Sequence, residues 1–174
     1  MPTPSVVIAP YNPDWASWAL QEIDRLARPL RPNLITIEHI GSTSVPGLAA
    51  KPIIDLLPIV QSLEILDEQR SIIEGLGYLW YGEYGISERR YCKLIDAEAN
   101  RVFHVHFFPS TSIGVTRHLA FRDYLRAYPA IAEAYQNEKQ RAAALHPFDS
   151  SAYTEEKSTW IRQHETDALN WFVG

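Results

Sequence analysis

The stretch from Glu38 to Val60 constrains this chain more than any other. A β-like run, Ile35 to Ile40, feeds directly into Gly41-Ser42, and a turn of small residues follows, punctuated by Pro46-Gly47. A second apolar run, Ile53 to Val60, is interrupted by one acid, Asp55. Glycine lets backbone approach a ligand without a Cβ in the way, and small hydroxyls add donors at short reach. Converging amides and hydroxyls, with Lys51 nearby, make Gly41, Ser42 and Thr43 candidates for holding a phosphate. An acid inside an apolar strand costs free energy unless it is paired, hydrogen-bonded or ligating a cation, so Asp55 is a candidate metal ligand. His39 is expected to buttress the turn at the edge of the same site.

A second constellation lies downstream. Arg90 to Ile95 and Arg101 to Phe108 read as hairpin strands around Asp96–Asn100. Side chains alternate along a strand, so Phe103, Val105 and Phe107 point one way and His104 and His106 the other. Those two imidazoles stand about 7 Å apart along the strand. Paired with Asp55 they form a candidate catalytic and metal-binding set, Asp55, His104 and His106, in which imidazole favours a transition metal such as Zn²⁺ or Mn²⁺ over Mg²⁺. Imidazoles also exchange protons near neutral pH.

The Gly-Ser turn after one strand and the acid on the next resemble the nucleotidyltransferase superfamily. More narrowly, the run Ile37-Glu38-His39-Ile40-Gly41-Ser42-Thr43-Ser44-Val45-Pro46-Gly47-Leu48-Ala49-Ala50-Lys51-Pro52-Ile53-Ile54-Asp55 is similar to the signature of the GrpB family. Pro10–Trp15, Leu119–Arg126 and Tyr153–Lys157 resemble the same family, so the likeness covers nearly the whole chain. It implies a nucleotide's phosphates on Gly41-Ser42 and a divalent cation, Mg²⁺ or Mn²⁺, on Asp55. Active members of the superfamily carry a second acid two positions after the first. Here Leu57 stands at that position, which puts two-metal catalysis in doubt. Further cationic candidates for an anionic ligand are Arg89, Arg90 and Arg122, with Lys157 a more remote option. Arg122 beside Asp123 reads equally as a structural ion pair.

The remainder of the chain sets the frame. At 174 residues it is long enough for one domain with its own core, a sheet-containing part over 1–110 and a helical part over 111–174. A net charge of −5 argues against general nucleic-acid binding while allowing a small anion in a local basic pocket. A single cysteine, Cys92, excludes an internal disulfide framework. No leader-like N-terminus or membrane-length apolar run is present, which predicts a cytoplasmic protein. Ser5–Ala9 is expected as a short strand, Asn12 as the cap of a helix with an apolar face from Trp15 to Leu30, and Leu63–Leu76 as one helix with Leu66, Ile72, Ile73 and Leu76 buried. Gly82–Arg89 reads as a flexible polar loop, and three helices follow from about Thr116, the last with Trp160, Ile161, Ala168 and Trp171 as its stripe. Their aromatic content would suit a homodimer.

The expected fold is therefore α+β, a mixed β-sheet of nucleotidyltransferase type packed by helices, with a helical C-terminal third. The leading functional expectation is a metal-dependent nucleotidyltransferase-like protein. Two alternatives stand beside it: a catalytically silent module that binds a nucleotide or coenzyme A-type ligand, and a hydrolase using a His-bound metal to activate water.

Overall fold

The computed structural model describes residues 5–174, so Met1–Pro4, part of the N-terminus read as lacking a leader, lie outside it. Five strands form one mixed sheet: β1 Leu34–Ile40, β2 Ile53–Val60, β3 Leu79–Gly82, β4 Arg90–Asp96 and β5 Arg101–Pro109, in the order β1-β2-β5-β4-β3. Only β2 and β5 run parallel; every other neighbouring pair is antiparallel. The parallel pair sets Asp55 level with His104, and the antiparallel β4–β5 pair sets His104 beside Lys93 and His106 beside Tyr91. Registry alone thus gathers chemistry from three strands on one face.

The opposite face is the main core. There Ile54, Leu56, Phe103, Val105 and Phe107 pack against helix α1, Asp14–Leu30. Asn12 caps α1 by accepting from the Asp14 amide at 2.9 Å, and Trp15, Ala19, Leu26 and Leu30 are its buried stripe. Trp18 and Ile23 cover the margin of the same cluster.

Several expected elements differ. Ser5–Ala9 is not a strand; only Ala9 bridges to Ala50. The expected helix over 63–76 is two, α2 Leu63–Glu68 and α3 Arg70–Gly75. Gln69 interrupts them because its side chain is drawn into the α1–β1 junction, donating to the Leu30 carbonyl and accepting from the Asn33 amide. The changed phase leaves Ile72 at 42% exposure rather than in the buried stripe. The 82–89 loop is pinned rather than free, since Arg89 donates to the carbonyls of Glu83 and Tyr84.

Helices α4 Ile113–Ala127, α5 Pro129–Leu145 and α6 Ser150–Val173 form the third layer. α4 starts earlier than expected because Ser112 caps it, its hydroxyl accepting from the Gly114 amide. It lies so close to β5 that a Cβ at Gly114 would overlap the Phe108 ring. In the last stripe only Ala168 is fully buried. Trp160 and Ile161 pack beside Tyr135, while Trp171 joins a surface group with Tyr124 and Tyr128. Among the described residues, no helix is long and apolar enough to cross a membrane.

Candidate functional site

The Gly-Ser turn, the histidine-bearing sheet face and the N-terminal half of α6 enclose one cleft. At the end of β1 the backbone enters Gly41 at φ +75°, a conformation that L side chains rarely adopt. A Cβ there would stand 2.6 Å from Asp55 Oδ2, so the carboxylate rests directly on the glycine. The 3₁₀ turn Ser42–Ser44 follows, closed by Ser44 Oγ donating to the Gly41 carbonyl at 2.5 Å. Thr43 Oγ1 donates to the Ile53 carbonyl and meets His39 Nε2 at 2.9 Å. Arg126 donates twice to the Ser44 carbonyl. Thr43 and Ser44 are buried by this scaffolding, while Ser42 lines the cleft and its hydroxyl lies against the Tyr135 phenol.

Asp55 Oδ1 accepts from His106 Nε2 at 3.0 Å, and His106 Nδ1 is buried without a partner. Burial works against the ionised form of Asp55. The hydrogen bond from His106, first among the interactions with the surrounding imidazoles, outweighs that cost, and the carboxyl titrates below its ordinary range. Burial pushes His104 and His39 down to about 4 and His118 to about 3, so all three imidazoles are neutral at physiological pH. His118, on α4 with its ring 5.7 Å from that of His106, was not a sequence candidate; nothing in its helical context marks it.

Beside Asp55 opens a cavity of about 240 Å³ lined by Ser42, Lys51, Lys139 and Lys157, with Tyr153 and Thr154 along α6. Lys51 Nζ donates to Ser150 Oγ at 3.2 Å, and both Lys51 and Lys157 lie over the Tyr153 ring. Lys139, only 1% exposed, donates to the Ala49 carbonyl and sits 4.7 Å from the Tyr135 centroid. Lys93 stands beside His104 in the sheet register, outside the cavity lining. These are the four lysines of the chain, and among the described residues none has a carboxylate within ion-pair distance. Burial, then the neighbouring Lys157 charge, brings Lys139 down to about 7, and burial also lowers Lys51 and Lys157. Lys139 lies far along the sequence from the turn, which hid it from pattern reading.

Two cationic candidates fall elsewhere. Arg90 pairs with Phe107 in the sheet register, on the face away from His106, and holds Asp67 with two bonds. Arg122 is committed to Glu38 and Asp123 at 2.8 Å each and to the His39 carbonyl. Glu38 is thereby occupied as well. A carboxylate already pairs with each of these arginines.

The residues present do not fit the carboxylate-bridged metal centre that the fold implies. Leu57 is fully buried at the second-acid position, packed with Ile40, Ile59 and Phe108. Asp55 Oδ1 is taken by His106, and among the described residues no three His, Cys, Asp or Glu side chains stand in metal-holding geometry.

The sheet order, the single parallel pair and a Gly-Ser turn facing a strand carboxylate define an α+β protein of nucleotidyltransferase fold. The Cid1 poly(U) polymerase, bound to Mg and 3′-dATP, superposes with a TM-score of 0.58 at 13% identity, over 84% of this chain and 49% of that one. The chain belongs to the GrpB family, described as GrpB protein, which matches residues 5–167. The crystal structure of conserved protein GrpB from Enterococcus faecalis covers 97% of the chain, and all of its own, with a TM-score of 0.89 and 40% identity. UPF0157 protein YqkA of Bacillus subtilis is 41% identical over 99% of the chain. The chain spans 50% of YqkA and 63% of a UPF0157 protein of Pseudomonas aeruginosa. A dephospho-CoA kinase of Mycolicibacterium paratuberculosis is 27% identical over 95% of the chain and 46% of its own length.

Proposed function

We propose that the chain binds a nucleotide or another phosphate-containing ligand in this cleft, its phosphates meeting Ser42, Lys51, Lys139 and Lys157. The observation that carries the reading is the convergence of Lys51, Lys139 and Lys157 on one cavity whose lining holds a single carboxylate, Asp55, itself hydrogen-bonded to His106. Assembling and partly burying like charges costs free energy, which an anion in the cavity would return. On this reading the lysines supply the charge that a metal supplies elsewhere in the fold, and binding proceeds in EDTA. Neutral His104 is available as a hydrogen-bond partner to the ligand.

Nucleotidyl transfer is the second reading. It is favoured by the ionised Asp55 carboxylate beside the phosphate cavity, with His106 held against it as an oriented imidazole. The dephospho-CoA kinase likeness places coenzyme A in the panel of ligands to be tried.

A thermal-shift panel separates the readings. ATP, CTP, GTP, UTP and coenzyme A are each added with EDTA or Mg²⁺ to the wild type, Lys157→Ala and Asp55→Ala. A ligand at a hundredfold excess over Kd stabilises the native state by about 2.7 kcal/mol. The expected outcome is a shift in EDTA that Lys157→Ala loses and Asp55→Ala keeps. A shift that needs Mg²⁺ and disappears in Asp55→Ala favours transfer. No shift with any ligand overturns both.

A further inference from the structure

A second arm of the cleft, about 710 Å³, continues from the lysine cavity past His104 and Thr154 towards the 82–89 loop. Its wall is a group of tyrosine rings. Tyr84 stacks on Tyr91 with centroids 5.4 Å apart and 21° between planes, and Tyr81 leans on both at 5.2 and 5.4 Å. Tyr91 in turn touches His104 and His106, so the rings run without a break from the loop to the Asp55 pair. Tyr84 keeps 64% of its surface exposed, and Tyr81 beside it 41%.

The loop is built to hold that ring in place. Tyr84 lies at φ +49° and Glu88 at +65°, conformations that cost a side-chain-bearing residue free energy and persist only where the surroundings impose them. The constraint is Arg89, 8% exposed, which donates to the Glu83 and Tyr84 carbonyls and lays its guanidinium 5.1 Å from the Tyr91 centroid. A buried arginine spent on two loop carbonyls, and a strained backbone, keep a large aromatic face turned towards solvent beside the cleft. Such a face stacks planar rings of any base sequence.

We infer that the Tyr84–Tyr91 platform is the subsite for a planar heteroaromatic ring, so that the ligand is a nucleotide with its phosphates on the lysines and its base on Tyr84. This rests on the phosphate reading above and narrows it, since inorganic polyphosphate or a sugar phosphate would leave the platform empty.

Calorimetric titration of ATP, GTP, CTP, UTP and inorganic tripolyphosphate, all in EDTA, tests it on the wild type, Tyr84→Ala and Tyr84→Phe. The tightest nucleotide should bind the wild type roughly tenfold or more tighter than tripolyphosphate, the range expected for one stacked base. Tyr84→Ala should remove that advantage while leaving tripolyphosphate unchanged, which also reports that the variant is folded; Tyr84→Phe should retain it. Equal nucleotide affinity in Tyr84→Ala and wild type overturns the subsite, as does a nucleotide no tighter than tripolyphosphate, and in both cases the phosphate reading stands. If neither nucleotide nor tripolyphosphate binds the wild type, both inferences fall.

Discussion

Asp55 and Gly41 act as a unit, because the carboxylate occupies the space where any other residue at position 41 would carry its Cβ. Gly41→Ala should therefore displace Asp55 from His106 as well as strain the turn, costing roughly 1–3 kcal/mol. Chemical denaturation reads the cost, and a variant as stable as the wild type would mean that the contact is not rigid. Lys139 makes a pH prediction. Its pKa falls from the ordinary lysine range to about 7 on folding, so between there and its unfolded value the unfolded chain binds the extra proton. The ligand-free protein should gain stability as pH rises from 7 towards 10, by up to a few kcal/mol, and Lys139→Met should flatten that slope. Phosphate affinity should move the opposite way, weakening above pH 7 as the ammonium is lost. A parallel slope in wild type and variant would contradict the assignment. At this scale the sequence revealed residues whose chemistry clashes with their local pattern, such as Asp55 in an apolar run and Lys51 after the turn. Lys139 and His118 sit in helices where a cation or an imidazole is unremarkable, and only tertiary packing turns them inward.

Among the elements, period-two alternation was enough to separate Phe103, Val105 and Phe107 from His104 and His106, and the bounds of β2 follow from its apolar run. Parallel pairing of β2 with β5 was not legible, because registry between distant strands depends on how the whole sheet closes. Likewise the break at Gln69 comes from hydrogen bonds to α1 and Asn33, which no local propensity records. Leu57 tests what the sheet face will bear. It lies in a dry cluster, so Leu57→Asp should restore the missing acid only by burying an unpaired carboxylate, at a cost above about 3 kcal/mol. A Leu57→Asp variant that unfolds with the wild-type midpoint would show room for a second metal ligand after all.

Across the whole molecule, a net charge of −5 surrounds a cleft that gathers three of the four lysines. The acidic exterior disfavours long polyanions, while the concave, low-dielectric cleft concentrates positive potential where a small anion can reach it. Charge organised this way does not appear in composition, where the lysines are few and scattered; it appears only once α5 and α6 fold over the sheet. The α+β plan and its helical last third were readable from periodicity and from the GrpB-like blocks, but the mouth of the cleft was not. The most direct test of the account is calorimetric titration of ATP in EDTA into the wild type and a Lys51→Ala/Lys157→Ala variant, at low and high salt. The account predicts binding that needs no metal, weakens as salt screens the lysines, and is lost in the double variant. Binding that survives removal of both lysines, or that appears only with added divalent cation, would contradict it.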